Sequence, residues 1–246
     1  MLSPSKSRIV ACRTLDIIEK ALFIVSIILP LSCSHPICEE IINKNPGKQI
    51  ILKSITLQPG KEGKDAIVSS YFPETNFENS KTLNAVLWRK DRNRYIEKGY
   101  IDFDLPNLIP SDAKIKKATL KLFADTVNQI DEGYLPKGHY EADYLPWEIN
   151  IVTNTWTEKD ITWINQPEAS IEALEIFNGA ERNDQAFLID VTSYVDEKVK
   201  QDPNVHGLVI DIIYHTMWEG FIRFCTSDHQ NSELRPQLYV EFEIEQ

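Results

Sequence analysis

The chain has 246 residues, of which 42% are hydrophobic and 10% aromatic, and its formal net charge is −11. This length allows one large domain or two small ones, and the composition supports a packed core, which excludes a disordered chain. A chain with this negative charge repels the phosphate backbone of nucleic acids, so nucleic acid is not an expected partner.

An uncharged apolar run, Ala21–Leu31, follows Lys20 and ends just before Ser32 and Cys33. It suits the hydrophobic part of a signal peptide and is too short to cross a bilayer. A small residue before cysteine at this boundary resembles the lipobox of bacterial lipoproteins, in which the cysteine is lipidated after cleavage. We predict a signal peptide over residues 1–33, lipidation of Cys33, and an extracellular or cell-surface protein that meets the membrane through this anchor only. A plain secretory signal and a buried helix are the alternatives.

Residues 34–49 are polar, contain Pro36 and Pro46, and are predicted to form a tether. Residues 50–246 are predicted to form one domain of short strands, because apolar and polar residues alternate with period two between turn-forming segments. The predicted strands are Ile50–Leu57, Asp65–Phe72, Leu83–Arg89, Tyr100–Leu105, Ile115–Ala124, Glu148–Trp156, Phe187–Asp190, Gly207–Tyr214, Gly220–Ser227 and Pro236–Glu245.

One short helix is predicted after Asp190, with Thr192 as its N-cap and with Val195 and Val199 on one face. Lys90–Lys98 is predicted to be a charged loop, and Asp131–Tyr144 a long excursion that is functional or mobile. Each strand has one face to bury and needs a second sheet to cover it. The sequence therefore predicts an all-β fold, an antiparallel, jelly-roll-like β-sandwich with one short helix.

The residues indicate no catalytic motif. The five histidines lack zinc-protease spacing, the chain has no GxSxG, and its 37 acidic residues single out no glycosidase pair. The four cysteines form no CxxC pair and have no metal-ligand spacing, so we predict no zinc site. We predict no cofactor, and a structural Ca²⁺ is an alternative that the residues do not indicate. Cys225 is interpreted as a small core residue, with a Cys38–Cys225 disulfide as an alternative.

Basic and aromatic residues that gather in an acidic chain are the candidate ligand contacts. The predicted carbohydrate-binding residues are Trp88, Arg89, Arg94, Lys121 and Arg235. Guanidinium groups recognise carboxylates of acidic sugars through paired hydrogen bonds, whereas an exposed tryptophan stacks on a sugar ring. Lysines on a solvated sheet face are the alternative interpretation of the basic cluster around Lys121. Trp156 and Trp163 are interpreted as structural.

Several segments in order resemble the DNRLRE-domain family, a group of bacterial extracellular β-sandwiches like carbohydrate-binding module family 96. The matching stretches are Asp65–Phe77, Tyr100–Phe123, Trp156–Pro167, Asp190–Val195, His206–Ile210, Phe224–Asp228 and Arg235–Phe242. The chain departs from the family at Asp102, where members commonly carry a basic residue. The resemblance implies a jelly-roll fold and polysaccharide binding, in some members of acidic polymers such as alginate.

We therefore predict a non-catalytic module that binds a polysaccharide. An acidic polysaccharide is among the possible ligands. A structural or adhesive surface module that contacts protein is a second hypothesis. A polysaccharide lyase or glycoside hydrolase is a third.

Overall fold

Alternating apolar residues build two packed antiparallel sheets. The computed structural model describes residues 38–45, 48–125, 146–178, 186–213 and 219–245. The predictions for the signal peptide, for Cys33 and for the loop 131–144 lie outside these ranges. Within them, no helix has the length and hydrophobicity needed to cross a membrane.

The first sheet contains five strands, and each pairs antiparallel with its neighbours. Their order is β1 (Cys38–Asn45), β2 (Lys48–Leu57), β12 (Gln237–Glu245), β6 (Lys114–Phe123) and β9 (Ala186–Asp190). The short helix α1 (Thr192–Val199) follows β9 directly.

The second sheet contains seven strands, also antiparallel. Their order is β11 (Gly220–Cys225), β4 (Thr82–Lys90), β5 (Asn93–Phe103), β10 (Leu208–Ile212), β7 (Pro146–Ile151) and β8 (Glu175–Asn178), while β3 (Gly63–Ser69) pairs with β5. An all-β antiparallel sandwich with one helix was predicted, and the structure confirms it.

The core lies between the inward faces of the two sheets. Leu120 of β6 faces Leu238 of β12 in register, and both are fully buried. Their neighbours Lys121 and Tyr239 lie on the outer face and are accessible to solvent. The alternation predicted for these two strands is therefore confirmed, and it fixes their register because a slip by one residue would expose every apolar side chain.

Two segments predicted to lack strands contain them. The predicted tether 34–49 includes β1, which pairs with β2. The predicted loop Lys90–Lys98 is mostly strand, because Asp91 and Arg92 alone make the turn between β4 and β5. Both have positive φ, 50° and 68°, as a two-residue hairpin turn requires. Neither residue is glycine, so the usual sequence signal for such a turn is missing.

The predicted role of Thr192 as a helix cap is wrong. The N-cap position is occupied by Val191, which makes no side-chain cap, and Thr192 is the first helical residue. The Thr192 hydroxyl instead accepts a hydrogen bond from the Ala118 N–H at 2.9 Å and donates one to Asp190 at 2.6 Å. The threonine therefore joins α1 to the first sheet.

Asp102 joins three elements at one buried carboxylate. Its Oδ1 lies 2.7 Å from the Lys198 Nζ and accepts a hydrogen bond from the Tyr194 hydroxyl at 3.0 Å, both on α1. Its Oδ2 lies 3.7 Å from the Lys64 Nζ of β3. The side chains of Asp102 and Lys198 are 12% and 13% exposed. The acidic residue that departs from the family pattern thus pairs closely with Lys198 of α1 and more distantly with Lys64 of β3.

We expect Asp102→Asn to lower the free energy of unfolding by about 3–5 kcal/mol, because removing one partner leaves Lys198 almost buried without its counter-charge. Asp104→Asn is the matched control, because Asp104 is exposed. The hydrogen bonds described for its side chain are both accepted from the Asn107 amide. Asp104→Asn should cost less than about 1 kcal/mol. Urea denaturation measures both, and equal midpoints for the two variants would contradict the role given to Asp102.

Candidate functional site

A cleft of about 470 Å³ lies on the outer face of the second sheet, where β5, β10 and β7 run side by side. The strand register builds its floor in two rows. Val209 of β10 lies between Tyr100 and Asn150, and Asp211 lies opposite Glu148. The residues that line the cleft are Lys98, Tyr100, Glu148, Asn150, Gln166, Pro167, Glu168, Ala169, Ser170, Val209 and Asp211.

The cleft exists because the connection after β7 covers only part of this outer face. Trp156 of that connection packs on Tyr100, with ring centroids 5.8 Å apart, and its Nε1 donates to the His206 carbonyl at 2.9 Å. A small apolar cluster separate from the main core results, formed by Ala66, Val68, Tyr100, Val152, Trp156, Ile161 and Val209. The structural role predicted for Trp156 agrees with its 7% exposure.

One wall of the cleft is the returning segment 166–170. Its backbone extends the sheet, because the Ser170 N–H donates to the Ile151 carbonyl at 2.7 Å and the Thr153 N–H donates to the Glu168 carbonyl at 2.9 Å. The wall is therefore held by regular hydrogen bonds along its length. A wall fixed before ligand arrives reduces the ordering cost of binding.

The floor carries one cation and two carboxylates. The Lys98 Nζ lies 2.7 Å from the Asp211 Oδ2. The third group, Glu148, lies across from Asp211, and burial together with the Asp211 charge raises the pKa of the Glu148 carboxyl. With Lys98 paired to Asp211, the charged groups on the floor carry a net negative charge.

Two side-chain amides are held in place at the cleft. The Gln166 Nε2 donates to the Trp163 carbonyl at 2.8 Å, and its Oε1 accepts from the Tyr100 hydroxyl at 3.1 Å. The Asn150 Nδ2 donates to the Ser170 carbonyl at 3.2 Å. Amides and carboxylates supply both donors and acceptors, which suits neighbouring hydroxyl groups of a ligand.

An aromatic side chain lies next to these polar groups. Trp163 is half-buried, and the Lys98 Nζ lies 5.9 Å from its ring centroid. It was interpreted as structural, and it does pack against the small apolar cluster of the outer face. Its ring nonetheless lies beside Lys98, a residue that lines the cleft.

Trp88, predicted to stack on a sugar, is only 1% exposed. The rings of Tyr71 and Tyr95 lie 5.1 Å and 4.7 Å from its ring and cover it. Tyr95 pairs with Trp88 across the β4–β5 hairpin, and Tyr71 follows β3. Direct stacking of Trp88 on a ligand is therefore excluded in this structure, a correction to the sequence-based assignment.

The structure does not bring the predicted basic residues to one surface. Arg89 and Arg94 face each other across the hairpin, and the Arg89 Nη1 lies 3.8 Å from the Glu219 Oε1. Lys121 lies on the outer face of the other sheet, over the Phe123 ring. The Arg235 Nε donates to the His229 carbonyl at 2.9 Å.

The basic cluster on β6 faces acidic residues of β12. Lys117 lies opposite Glu241 in the register, and the Lys116 Nζ lies 3.4 Å from the Glu243 Oε1. Exposed pairs of this kind contribute little to stability, but they neutralise the local field. The alternative interpretation of these lysines, a solvated sheet face, fits the structure better than a patch for a polyanion.

Sequence reasoning missed the cleft residues. Alternation in β7 places Glu148 and Asn150 on the polar face, which is a usable signal. Their meeting with Lys98 and Asp211 depends on the pairing β5–β10–β7, which joins strands far apart in the sequence. The described residues also contain one group of potential metal ligands, Asp125, Cys225 and His229, outside the cleft lining.

Comparison with known protein families identifies the family of this chain. The model of carbohydrate-binding module family 96 matches residues 57–242. The chain belongs to this family, and carbohydrate binding is the general function that membership supports. No curated protein matches the chain.

Proposed function

We propose that the domain binds a polysaccharide without cleaving it, and that the ligand lies in the cleft between β5, β10, β7 and the wall 166–170. The observation that carries this proposal is the juxtaposition of ordered side-chain amides in the cleft with the half-buried Trp163, whose ring lies 5.9 Å from the Lys98 Nζ, in a chain of a carbohydrate-binding family. Carbohydrate recognition needs both, since hydroxyl groups require directed hydrogen bonds and the apolar face of a sugar ring packs on an aromatic ring.

The charge of the cleft favours a neutral polysaccharide. Lys98 is held by Asp211 at 2.7 Å, and Glu148 adds a further carboxyl group. A uronate entering this site would meet carboxylates in a partly desolvated place, where repulsion is stronger than in water. The basic residues predicted as ligand contacts lie outside the cleft lining, so an acidic polymer would bind elsewhere, for example at the β4–β5 hairpin where Arg89 and Arg94 face each other.

The proposal of binding without turnover is supported by the state of Asp211, which lines the cleft together with Glu148 and Glu168. A glycosidase places one carboxyl on each side of the scissile bond, with both free to act. Asp211 is instead nearly buried and paired with Lys98. An adhesive module that contacts protein remains the second hypothesis, and it predicts no glycan ligand at all.

We expect the wild-type domain to bind a neutral glycan selected from an array, with affinity that changes little between low and physiological salt. Trp163→Ala and Asn150→Ala should each weaken binding about tenfold or more, as contacts at the centre of a binding site do. Isothermal titration calorimetry with the selected glycan measures this, and assays for reducing ends and for unsaturated sugars should detect no cleavage.

Phe72→Ala is the matched aromatic control, because Phe72 is 41% exposed and does not line the cleft. It should leave the affinity unchanged. Retention of full affinity by both cleft variants would contradict the site, and binding of alginate that weakens steeply with salt would contradict the neutral ligand. Release of new chain ends would contradict the absence of catalysis.

We also propose that the domain is held at the cell surface by lipid on Cys33. The run Ala21–Leu31 and the Ser32-Cys33 boundary support this proposal. Cys33→Ala should abolish incorporation of labelled fatty acid and shift the protein out of the membrane fraction or leave it unprocessed, while Cys38→Ala should not. Label that persists in Cys33→Ala would contradict this assignment.

A further inference from the structure

Three potential metal ligands meet where the two sheets come together at one end. Asp125 follows β6 of the first sheet, Cys225 is the last residue of β11 in the second, and His229 lies in the turn beyond it. The Asp125 N–H donates to the Arg223 carbonyl at 3.1 Å, which brings the end of β6 beside β11. One ligand atom from each of the three side chains lies within 4.8 Å of the other two.

All three side chains are withdrawn from solvent. Asp125, Cys225 and His229 are 8%, 1% and 9% exposed. Cys225 is a free thiol, as its interpretation as a core residue implied. A carboxylate, a thiol and an imidazole that converge in a buried place form a mixed oxygen, sulfur and nitrogen donor set.

The backbone around His229 orients its ring. The His229 N–H donates to the Thr226 carbonyl at 3.2 Å, and the His229 carbonyl accepts from Arg235 at 2.9 Å. The ring Nδ1 lies 3.2 Å from the Asn231 carbonyl oxygen. The Asn231 N–H also lies 3.2 Å from this Nδ1, so both backbone groups of Asn231 hold the ring in place. A metal on Nε2 requires the tautomer in which Nδ1–H is donated to the Asn231 carbonyl.

We propose that Asp125, Cys225 and His229 bind a divalent transition metal of the Zn²⁺ class. Sulfur and nitrogen ligands disfavour Ca²⁺ and Mg²⁺, which prefer oxygen, and they suit Zn²⁺, which accepts all three donor types. Tetrahedral Zn²⁺ holds its ligand atoms about 3.5 Å apart. Binding would draw the three ligand atoms closer than the 4.8 Å within which they lie, and one further ligand would complete a tetrahedral set.

The metal would connect the two sheets. Asp125 extends the first sheet, whereas Cys225 and the turn with His229 extend the second. A bond network through one ion would therefore fix the end of the sandwich where β6 meets β11. Counting cysteine spacings could not find this site, because Asp125 and Cys225 are distant in the sequence and meet only through tertiary pairing.

Cobalt replacement tests the site, because Co²⁺ bound by a thiolate gives a sulfur-to-metal charge-transfer absorption. We expect the chelator-treated full chain to develop this band and to saturate with one Co²⁺, which Zn²⁺ then displaces. Cys225→Ser should remove the band, and Asp125→Asn should weaken Co²⁺ binding at least tenfold. Asp228→Asn is the matched control, because Asp228 lies next to His229 in the sequence but is exposed. This variant should bind Co²⁺ like the wild type.

Absence of the absorption band from folded wild-type protein would overturn the proposal. Persistence of the band in Cys225→Ser would also overturn it, because the band would then come from another cysteine. Circular dichroism establishes that each variant is folded. If Cys225→Ser does not fold, equal Co²⁺ affinity for Asp125→Asn and Asp228→Asn would overturn the site instead. Glycan binding measured in the absence of metal keeps this test separate from the proposed function.

Discussion

The outer face of the second sheet is apolar where β3, β5 and β10 meet, and this apolar surface has to be buried. Ala66, Val68, Tyr100 and Val209 lie on this face and are nearly or fully buried. The connection after β7 covers them, chiefly through Trp156, because leaving such surface in water is unfavourable. The cover ends where the face turns polar, and the cleft lies at that boundary. The burial of apolar surface outside the main core therefore positions the candidate site.

Two nearly buried carboxylates pair with lysines, and the basic surface is divided. Asp102 pairs with lysines of α1 and β3, and Lys98 pairs with Asp211 in the cleft. The lysines of β6 face the acidic side chains of β12. The separation of these groups argues against a single polyanion-binding surface.

The sequence predicted the fold better than the site. Alternation along β6 and β12 reports burial directly, because side chains of a strand point to opposite faces. Trp88 followed the same alternation, yet its outer face is covered by Tyr71 and Tyr95, whose approach depends on strand pairing. The hairpin at Asp91 and Arg92 lacked a glycine signal. Contacts across β5, β10 and β7 depend on long-range pairing, which local patterns do not encode.

The most direct test of the account is to map the bound glycan on the protein by amide chemical-shift changes in a two-dimensional NMR titration. A neutral glycan taken from the array should perturb amides of β5 near Lys98, of β7 near Asn150, and of the segment from Trp163 to Ser170. The β4–β5 hairpin and the outer face of β6 should remain unperturbed. Changes centred on that hairpin or on β6, with the cleft unaffected, would contradict the account.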